Sequence, residues 1–398
     1  MKILWVNNIF LHPTTKGGQI RTLEMIRRLH RRHEVHYVAF ENDAEPESIA
    51  RSKEYCSNIY PVSFRIAPKL SPRFFSQVAL GFVSPTPIVV ERKRSAEMQS
   101  IVQNLIDKQR FDSLVCDFLT PSINLPNLAQ WVLFQHNVET MIFRRYAENA
   151  PDGLRRWYFK LQAERLFRYE RNVCQAVRHV VAVSENDERV FREQFGVERV
   201  TSIPTGVDLD YFAPPDKPES RADLVFVGSM DWMPNIDGMS WFVDEILPLI
   251  RRRKPDCSVA IVGRTPVPKV QKMAHLDPLI TVTGTVPDVR PYMWGSRISI
   301  VPLRIGGGTR LKIYEAMAAR VPVVSTTVGA EGLETHSGRN IWLADTPQEF
   351  AERCVELLNS AGQRKALAGE AWQMVADRYS WDSVTQEFEE ILNSARVR

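Results

Sequence analysis

Short runs of consecutive apolar residues alternate with longer runs whose apolar positions recur every three or four residues, over nearly the whole chain. In the first half the short runs fall at 3–7, 35–40, 114–117, 131–136, 180–184 and 200–204. Several are hydrophobic throughout, with no in–out alternation. Strands of that kind belong to a parallel sheet covered on both faces, and helical runs near 18–32, 95–109 and 152–177 supply the covers. Residues 212–221, FAPPDKPESR, interrupt the rhythm with a polar, proline-rich stretch of linker character. The rhythm restarts at 224–228, 258–263, 280–283, 298–302, 321–326 and 341–344, again with helical runs between. Two α/β units in tandem follow, over 1–211 and 222–380, with a last helix in 381–398 that suits either unit.

A length of 398 residues fits two such units, and 44% apolar with 25% charged residues lets each bury a core. The net charge of +4 comes from basic residues interleaved with nearly as many acidic ones, which is no footprint for nucleic acid. Five cysteines, odd in number and never in a C-x-x-C pair, predict neither a disulfide framework nor a zinc site. Cys116 and Cys257 sit in or beside apolar runs, where a buried reduced thiol is expected, in keeping with a reducing cytoplasm. The start MKILWVNN enters a strand at once, without the apolar core of a signal peptide. No stretch approaches the ~18 apolar residues of a membrane span. A cytoplasmic protein is expected, with any membrane contact peripheral, at the inner face.

Ligands of open parallel sheets bind beyond the carboxyl ends of the strands, so the residues following each strand are the ones to inspect. Lys16-Gly17-Gly18-Gln19 follows the first strand and heads a helix. Paired glycines there admit a phosphate or sugar close to the backbone; a plain tight turn is the commoner account of such a pair. Arg304-Ile305-Gly306-Gly307-Gly308-Thr309-Arg310-Leu311-Lys312 follows the strand at 298–302 and leads into a helix. Adjacent glycines at a helix start expose backbone donors for a diphosphate, and Arg304, Arg310 and Lys312 add neutralising charge. Glu315 lies three residues beyond Lys312, on nearly the same helix face; a surface ion pair is the competing account. His136 closes an apolar strand in Phe134-Gln135-His136-Asn137, as a hydrogen-bonded structural residue or as one facing a ligand. Residues 61–95 carry six basic side chains against one acid, mixed with Phe64, Phe74, Phe75 and Phe82. That mixture fits an anionic membrane surface or an acceptor groove, and fits equally a connection whose aromatics pack on the first sheet. Arg27-Arg28-Leu29-His30-Arg31-Arg32-His33 reads as a solvated helix end.

Together with Val183-Ser184, Ile203-Pro204-Thr205-Gly206-Val207-Asp208, Phe226-Val227-Gly228, Ile261-Val262-Gly263, Gly284-Thr285-Val286-Pro287 and Lys312-Ile313-Tyr314-Glu315-Ala316-Met317-Ala318, these segments resemble the retaining, metal-independent glycosyltransferases of family 4. Within that family the chain is similar to bacterial members of exopolysaccharide assembly. The resemblance implies the GT-B fold, two Rossmann-like α/β domains facing across a cleft. The acceptor would lie with 1–211, the nucleotide sugar with 222–380, and 212–221 would join them. It implies that His136 faces the donor sugar as the catalytic residue, that Gly17 and Gly18 lie against phosphate or acceptor, and that Gly284, Thr285 and Val286 border the base. Glu315 would hold the ribose hydroxyls, and Gly228 and the run Gly306, Gly307, Gly308, Thr309 would border the nucleotide sugar. No metal or other cofactor is implied. The partners are a nucleotide sugar and a saccharide or lipid-linked acceptor, with membrane contact through 61–95.

Two departures stand out. The first acid of the family's Glu-x7-Glu pair is Gly307, and its Arg and Lys after the first strand of the second domain are Ser229 and Pro234. Arg304, Arg310 or Lys312 would then take over the diphosphate. The departures also suit a non-catalytic sugar-nucleotide-binding or scaffold protein. A nucleotide-sugar epimerase on the same fold is the other alternative, for which no pair of carboxylates stands out.

Overall fold

A computed structural model describes every residue except 15–16, 42–45, 65–83, 149–152, 306–310 and 398. The chain divides into two compact units, Met1–Pro204 with Val384–Arg398, and Thr205–Ser383. The proline-rich stretch at 212–221 thus falls inside the second unit, because Val207 and Phe212 are buried in that unit's core.

In the first unit β1 (Lys2–Val6), β2 (Glu34–Phe40), β3 (Asn58–Val62), β4 (Ser113–Asp117), β5 (Trp131–Phe134), β6 (His179–Ala182) and β7 (Val200–Ser202) form one parallel sheet. Its order is β3-β2-β1-β4-β5-β6-β7. Ile3, Leu4, Trp5 and Val6 are fully buried, as a strand with both faces covered must be. β3 does not show in the hydrophobic pattern because Pro61 interrupts it. Proline is tolerated there because β3 is an edge strand, with ladder bonds on one side only. The helix Gly17–His30 buries Thr22, Leu23, Met25, Ile26 and Leu29, an i, i+3, i+4, i+7 stripe facing the core. Ser95 caps the helix Ala96–Lys108 by accepting a hydrogen bond from the Met98 amide (3.2 Å).

The last helix, Trp381–Ser394, returns to this sheet. Phe388 packs on Trp5 and Phe134, and Ser113 Oγ donates to the Leu392 carbonyl (3.1 Å). This helix also changes the reading of the basic run. His33 is nearly buried, bonded to Glu389 (2.8 Å) and to the terminal amine (3.0 Å), and Arg32 pairs with Glu389. Only part of the 27–33 run is a solvated end.

The second unit holds β8 (Ala222–Val227), β9 (Val259–Val262), β10 (Ile280–Val282), β11 (Ser296–Val301), β12 (Val323–Ser325) and β13 (Trp342–Leu343), all parallel. Their order, β10-β9-β8-β11-β12-β13, repeats that of β1–β6 in the first sheet, without a counterpart of β7. Both are doubly wound, and the strand order reverses between β1 and β4 in one and between β8 and β11 in the other. All five cysteines are buried and unpaired. In the described parts of 61–95, Phe64 stacks on Phe40 of β2 (4.2 Å between centroids) and Lys93 lies over both rings, so this aromatic packs on the first sheet. Phe74, Phe75 and Phe82 lie outside the described residues. Among the described residues no helix is long and apolar enough to cross a membrane.

Candidate functional site

A reversal of strand order leaves the two central crossovers leading away in opposite directions, which opens a crevice at the carboxyl ends. In the first unit Asp117, the last residue of β4, lies at this reversal with no exposed surface. Four side chains donate to it: His136 Nε2 to Oδ1 (2.7 Å), and Asn7 Nδ2 (2.6 Å), Thr22 Oγ1 (2.8 Å) and Trp5 Nε1 (3.0 Å) to Oδ2. β1 and the turn after it bring Trp5 and Asn7, the helix Gly17–His30 brings Thr22 and the turn after β5 brings His136 to the carboxylate at the end of β4. Burial lowers the His136 pKa, outweighing the opposite pull of Asp117, so the ring is neutral near pH 7. With Nε2 donating to Asp117, Nδ1 carries the lone pair. Nδ1 is buried and has no hydrogen-bond partner, although an acceptor left so exposes the protein to a desolvation cost.

What lies around Nδ1 is shaped for close approach. A Cβ on Gly18 would come within 2.8 Å of the Phe118 ring and 3.5 Å of Nδ1, so only glycine fits there. Phe118 stacks on the His136 ring at 4.0 Å and holds a left-handed backbone (φ 69°), unusual for a bulky residue. Gly17 opens the same helix and is exposed. Beside this group Arg21 is fully enclosed. It donates to the carbonyls of Gln135 (2.7 Å), Ala182 (3.3 Å) and Ile203 (2.6 Å), tying together the ends of β5, β6 and β7. Burial brings its pKa down to about 9. Glu170, pushed up to about 7 by burial, accepts from the Glu139 and Thr140 amides and the Thr140 hydroxyl, and so caps the helix Glu139–Glu148 that follows His136.

In the second unit Gly228 follows β8, and Lys312 opens the helix Leu311–Ala318 after β11. A Cβ on Gly228 would sit 2.8 Å from Lys312 Nζ, so the ammonium lies directly over this backbone. Lys312 Nζ donates to Asn235 Oδ1 (2.9 Å) and lies over the Phe226 ring (4.4 Å). Glu315, half-buried, accepts no side-chain hydrogen bond from a described residue. Burial raises its pKa and Lys312 pulls it back. Arg304 is held by Asp237 through two hydrogen bonds (2.7 and 3.0 Å), so its fork is already occupied. Gly284, with φ 67°, turns the chain beyond β10; Thr285 is exposed there and Val286 packs on the small cluster around Val225 and Val262. Gly306, Gly307, Gly308, Thr309 and Arg310 lie outside the described residues.

Sequence patterns single out neither Asp117 nor Arg21, since their partners come from segments up to 182 residues apart. Arg264, after β9, also escapes notice, yet its Nε donates to Ser229 Oγ (3.0 Å).

Residues 15–211 match the model of Glycosyltransferase Family 4, and residues 221–360 that of Glycosyl transferases group 1. Between them they take in both sheets. The chain belongs to glycosyltransferase family 4. Its sequence relatives are distant. It is 24% identical over 166 residues to an uncharacterized 44.6 kDa protein in the cps region of Klebsiella pneumoniae, covering 40% of this chain and 43% of that one. It is 26% identical over 238 residues to D-inositol 3-phosphate glycosyltransferase 2 of Catenulispora acidiphila, covering 54% and 55%. The chain thus spans about half the length of the curated relatives it matches. The fold of this family 4 chain, GT-B, is that of Anabaena Alr3699/HepE, crystallised in complex with UDP and glucose. The TM-score is 0.64 at 15% identity, over 99% of this chain and 100% of that one.

Proposed function

We propose that this family 4 chain is a retaining, metal-independent hexosyltransferase that moves a sugar from a nucleotide diphosphate sugar to a saccharide or lipid-linked acceptor, in synthesis of exopolysaccharide or another cell-surface glycan. The observation that carries the reading is the pairing of Lys312 and Glu315 on one helix at the carboxyl end of the second sheet. A half-buried carboxylate without a described donor has room to accept from two vicinal ribose hydroxyls, and the cation beside it suits the adjoining phosphates. In the first unit His136 Nδ1, a fixed neutral acceptor, takes a hydroxyl of the sugar. Asp117 acts through His136 and is a positioning residue.

The bond between the sugar's anomeric carbon and the diphosphate oxygen breaks, and its electron pair leaves with the nucleotide diphosphate. The acceptor oxygen bonds to the same carbon from the same face, and its proton passes to the departing phosphate. Lys312 stabilises the charge that develops on the leaving group, so no metal ion is called for. The relative named for a cps region supports a role in surface glycans, and the one named as an inositol phosphate glycosyltransferase supports transfer. The fold neighbour holding UDP and glucose makes UDP-glucose the first donor to test.

Incubation with UDP-glucose and a panel of free and lipid-linked saccharides, in excess chelator, should give a glycoside whose anomeric configuration by NMR matches the donor's. Donor binding without transfer across the panel would indicate a non-catalytic protein, and an isomerised nucleotide sugar formed without acceptor would indicate an epimerase. Loss of transfer in chelator would reject metal independence.

A further inference from the structure

We infer that Arg264 is a phosphate-binding residue of the second unit, gripping the nucleotide's diphosphate together with Lys312; this rests on the nucleotide-diphosphate reading above. Geometry on both sides of the residue supports this. The turns after β8 and β9 touch through their backbones, since a Cβ on Gly263 would come within 1.8 Å of the Gly228 carbonyl oxygen. This contact seats Arg264 beside Ser229. Arg264 Nε donates to Ser229 Oγ (3.0 Å), while the Arg264 carbonyl accepts from the Met230 amide (2.9 Å), so side chain and backbone are both anchored.

The next residue, Thr265, is β-branched and yet held at φ 53°. Strain of that kind persists only where the surroundings impose it, and it gathers at ligand clamps. Arg264 itself is exposed and forms no ion pair with a described residue. Asp231 accepts from the same Ser229 hydroxyl (2.5 Å) and feels the charge of Arg264.

A hydrogen-bonded tether joins the two cations. Asn235 Nδ2 donates to the Ser229 carbonyl (2.8 Å) and Asn235 Oδ1 accepts from Lys312 Nζ (2.9 Å). A compact ammonium after β11 and a planar guanidinium after β9, the two strands that flank β8, offer only donors. An anion with two linked acceptor groups answers both, and a diphosphate is such an anion. With Nε committed to Ser229, the two terminal amino groups of Arg264 remain to make a bidentate contact.

Calorimetric titration of the full chain with UDP, ADP, GDP and UMP tests this. In the wild type a diphosphate should bind more tightly than UMP. Arg264→Ala should lower diphosphate affinity about tenfold, close most of that gap and leave UMP binding within about twofold. Arg264→Lys should recover part of the loss. Because Arg264 is exposed, the melting temperature of the unliganded Arg264→Ala protein should match the wild type's. If Arg264→Ala binds the diphosphate as the wild type does, the inference is overturned while the nucleotide reading stands. If the wild type binds none of the three diphosphates, both fall.

Discussion

At the reversal of the first sheet, Asp117 is fully buried with four donors on it, and Arg21, equally buried, caps three carbonyls. At the reversal of the second, Lys312 and Glu315 are half-buried and Arg264 is exposed, with short polar links running through Asn235 and Ser229. Over six strands the order is the same in both. What differs is who answers the charges. The first unit answers most of its own and, among the described residues, leaves His136 Nδ1 as a buried acceptor without a partner beside Gly18. The second keeps its charges near solvent, where an incoming anion and hydroxyls can meet them. Closely matching topologies thus carry a sealed polar network in one unit and solvent-facing charges in the other.

The comparison breaks first at Asp117. Asp117→Ala would strand buried donors from Trp5, Asn7, Thr22 and His136, and removing one partner of a buried network costs about 3–5 kcal/mol. Urea unfolding should show a loss of that size. A loss under about 1 kcal/mol would mean that the first reversal is not sealed by its own hydrogen bonds.

Glu170 gives the next largest effect, and it depends on pH. Its carboxyl titrates near 7 in the fold and near 4.5 as an ordinary glutamate, so between those values the folded chain holds the extra proton. The stability it contributes is therefore complete below 4.5 and lost as pH rises through 7, about 3 kcal/mol for this span. His136 slopes the other way: its lowered pKa gives stability present above 6.5 and lost on acidification below that. Unfolding of Glu170→Gln at pH 5 and pH 8 isolates the first contribution. Its stability should fall less between the two than the wild type's, and an equal fall would assign the slope elsewhere.

Most strands were legible because doubly covered strands must be continuously apolar, and residues 3–6 are. β3 escaped because an edge strand admits Pro61. His136, Lys312 and Glu315 stand out in the sequence as types, a histidine at a strand end and a cation–carboxylate pair at a helix start, each with a structural account beside the functional one. Asp117 was not. A carboxylate ending a strand announces nothing until residues 5, 7, 22 and 136 converge on it. Arg264 stayed hidden because a single arginine in a turn resembles any solvated one, and only the backbone contact of Gly228 with Gly263 brings it to Ser229.

In the second unit the expected effects are smaller and appear in binding. Glu315→Gln keeps the shape and removes the charge that two ribose hydroxyls would share. UDP affinity should drop about tenfold, or 1.4 kcal/mol, with the fold unperturbed or slightly stabilised, because the wild-type carboxylate is held above its usual pKa by burial. UDP binding unchanged in Glu315→Gln would move the ribose contact elsewhere.

The smallest effect separates two arginines of the second unit, one that the sequence singles out and one that it does not. Arg304 follows β11 as Arg264 follows β9, and on charge alone either serves a phosphate. But Arg304 gives two hydrogen bonds to Asp237 and lies over Trp241 (5.4 Å), so a phosphate could recruit it only by displacing a carboxylate already in place. Its ion pair is largely solvent-exposed, and exposed pairs contribute about 0–1 kcal/mol. Arg304→Ala should therefore leave UDP affinity within about twofold and shift stability by less than 1 kcal/mol, against the tenfold loss expected of Arg264→Ala. A loss at Arg304 equal to that at Arg264 would mean that Asp237 yields its partner when the nucleotide binds, and that the second reversal rearranges its own charges as the first does not.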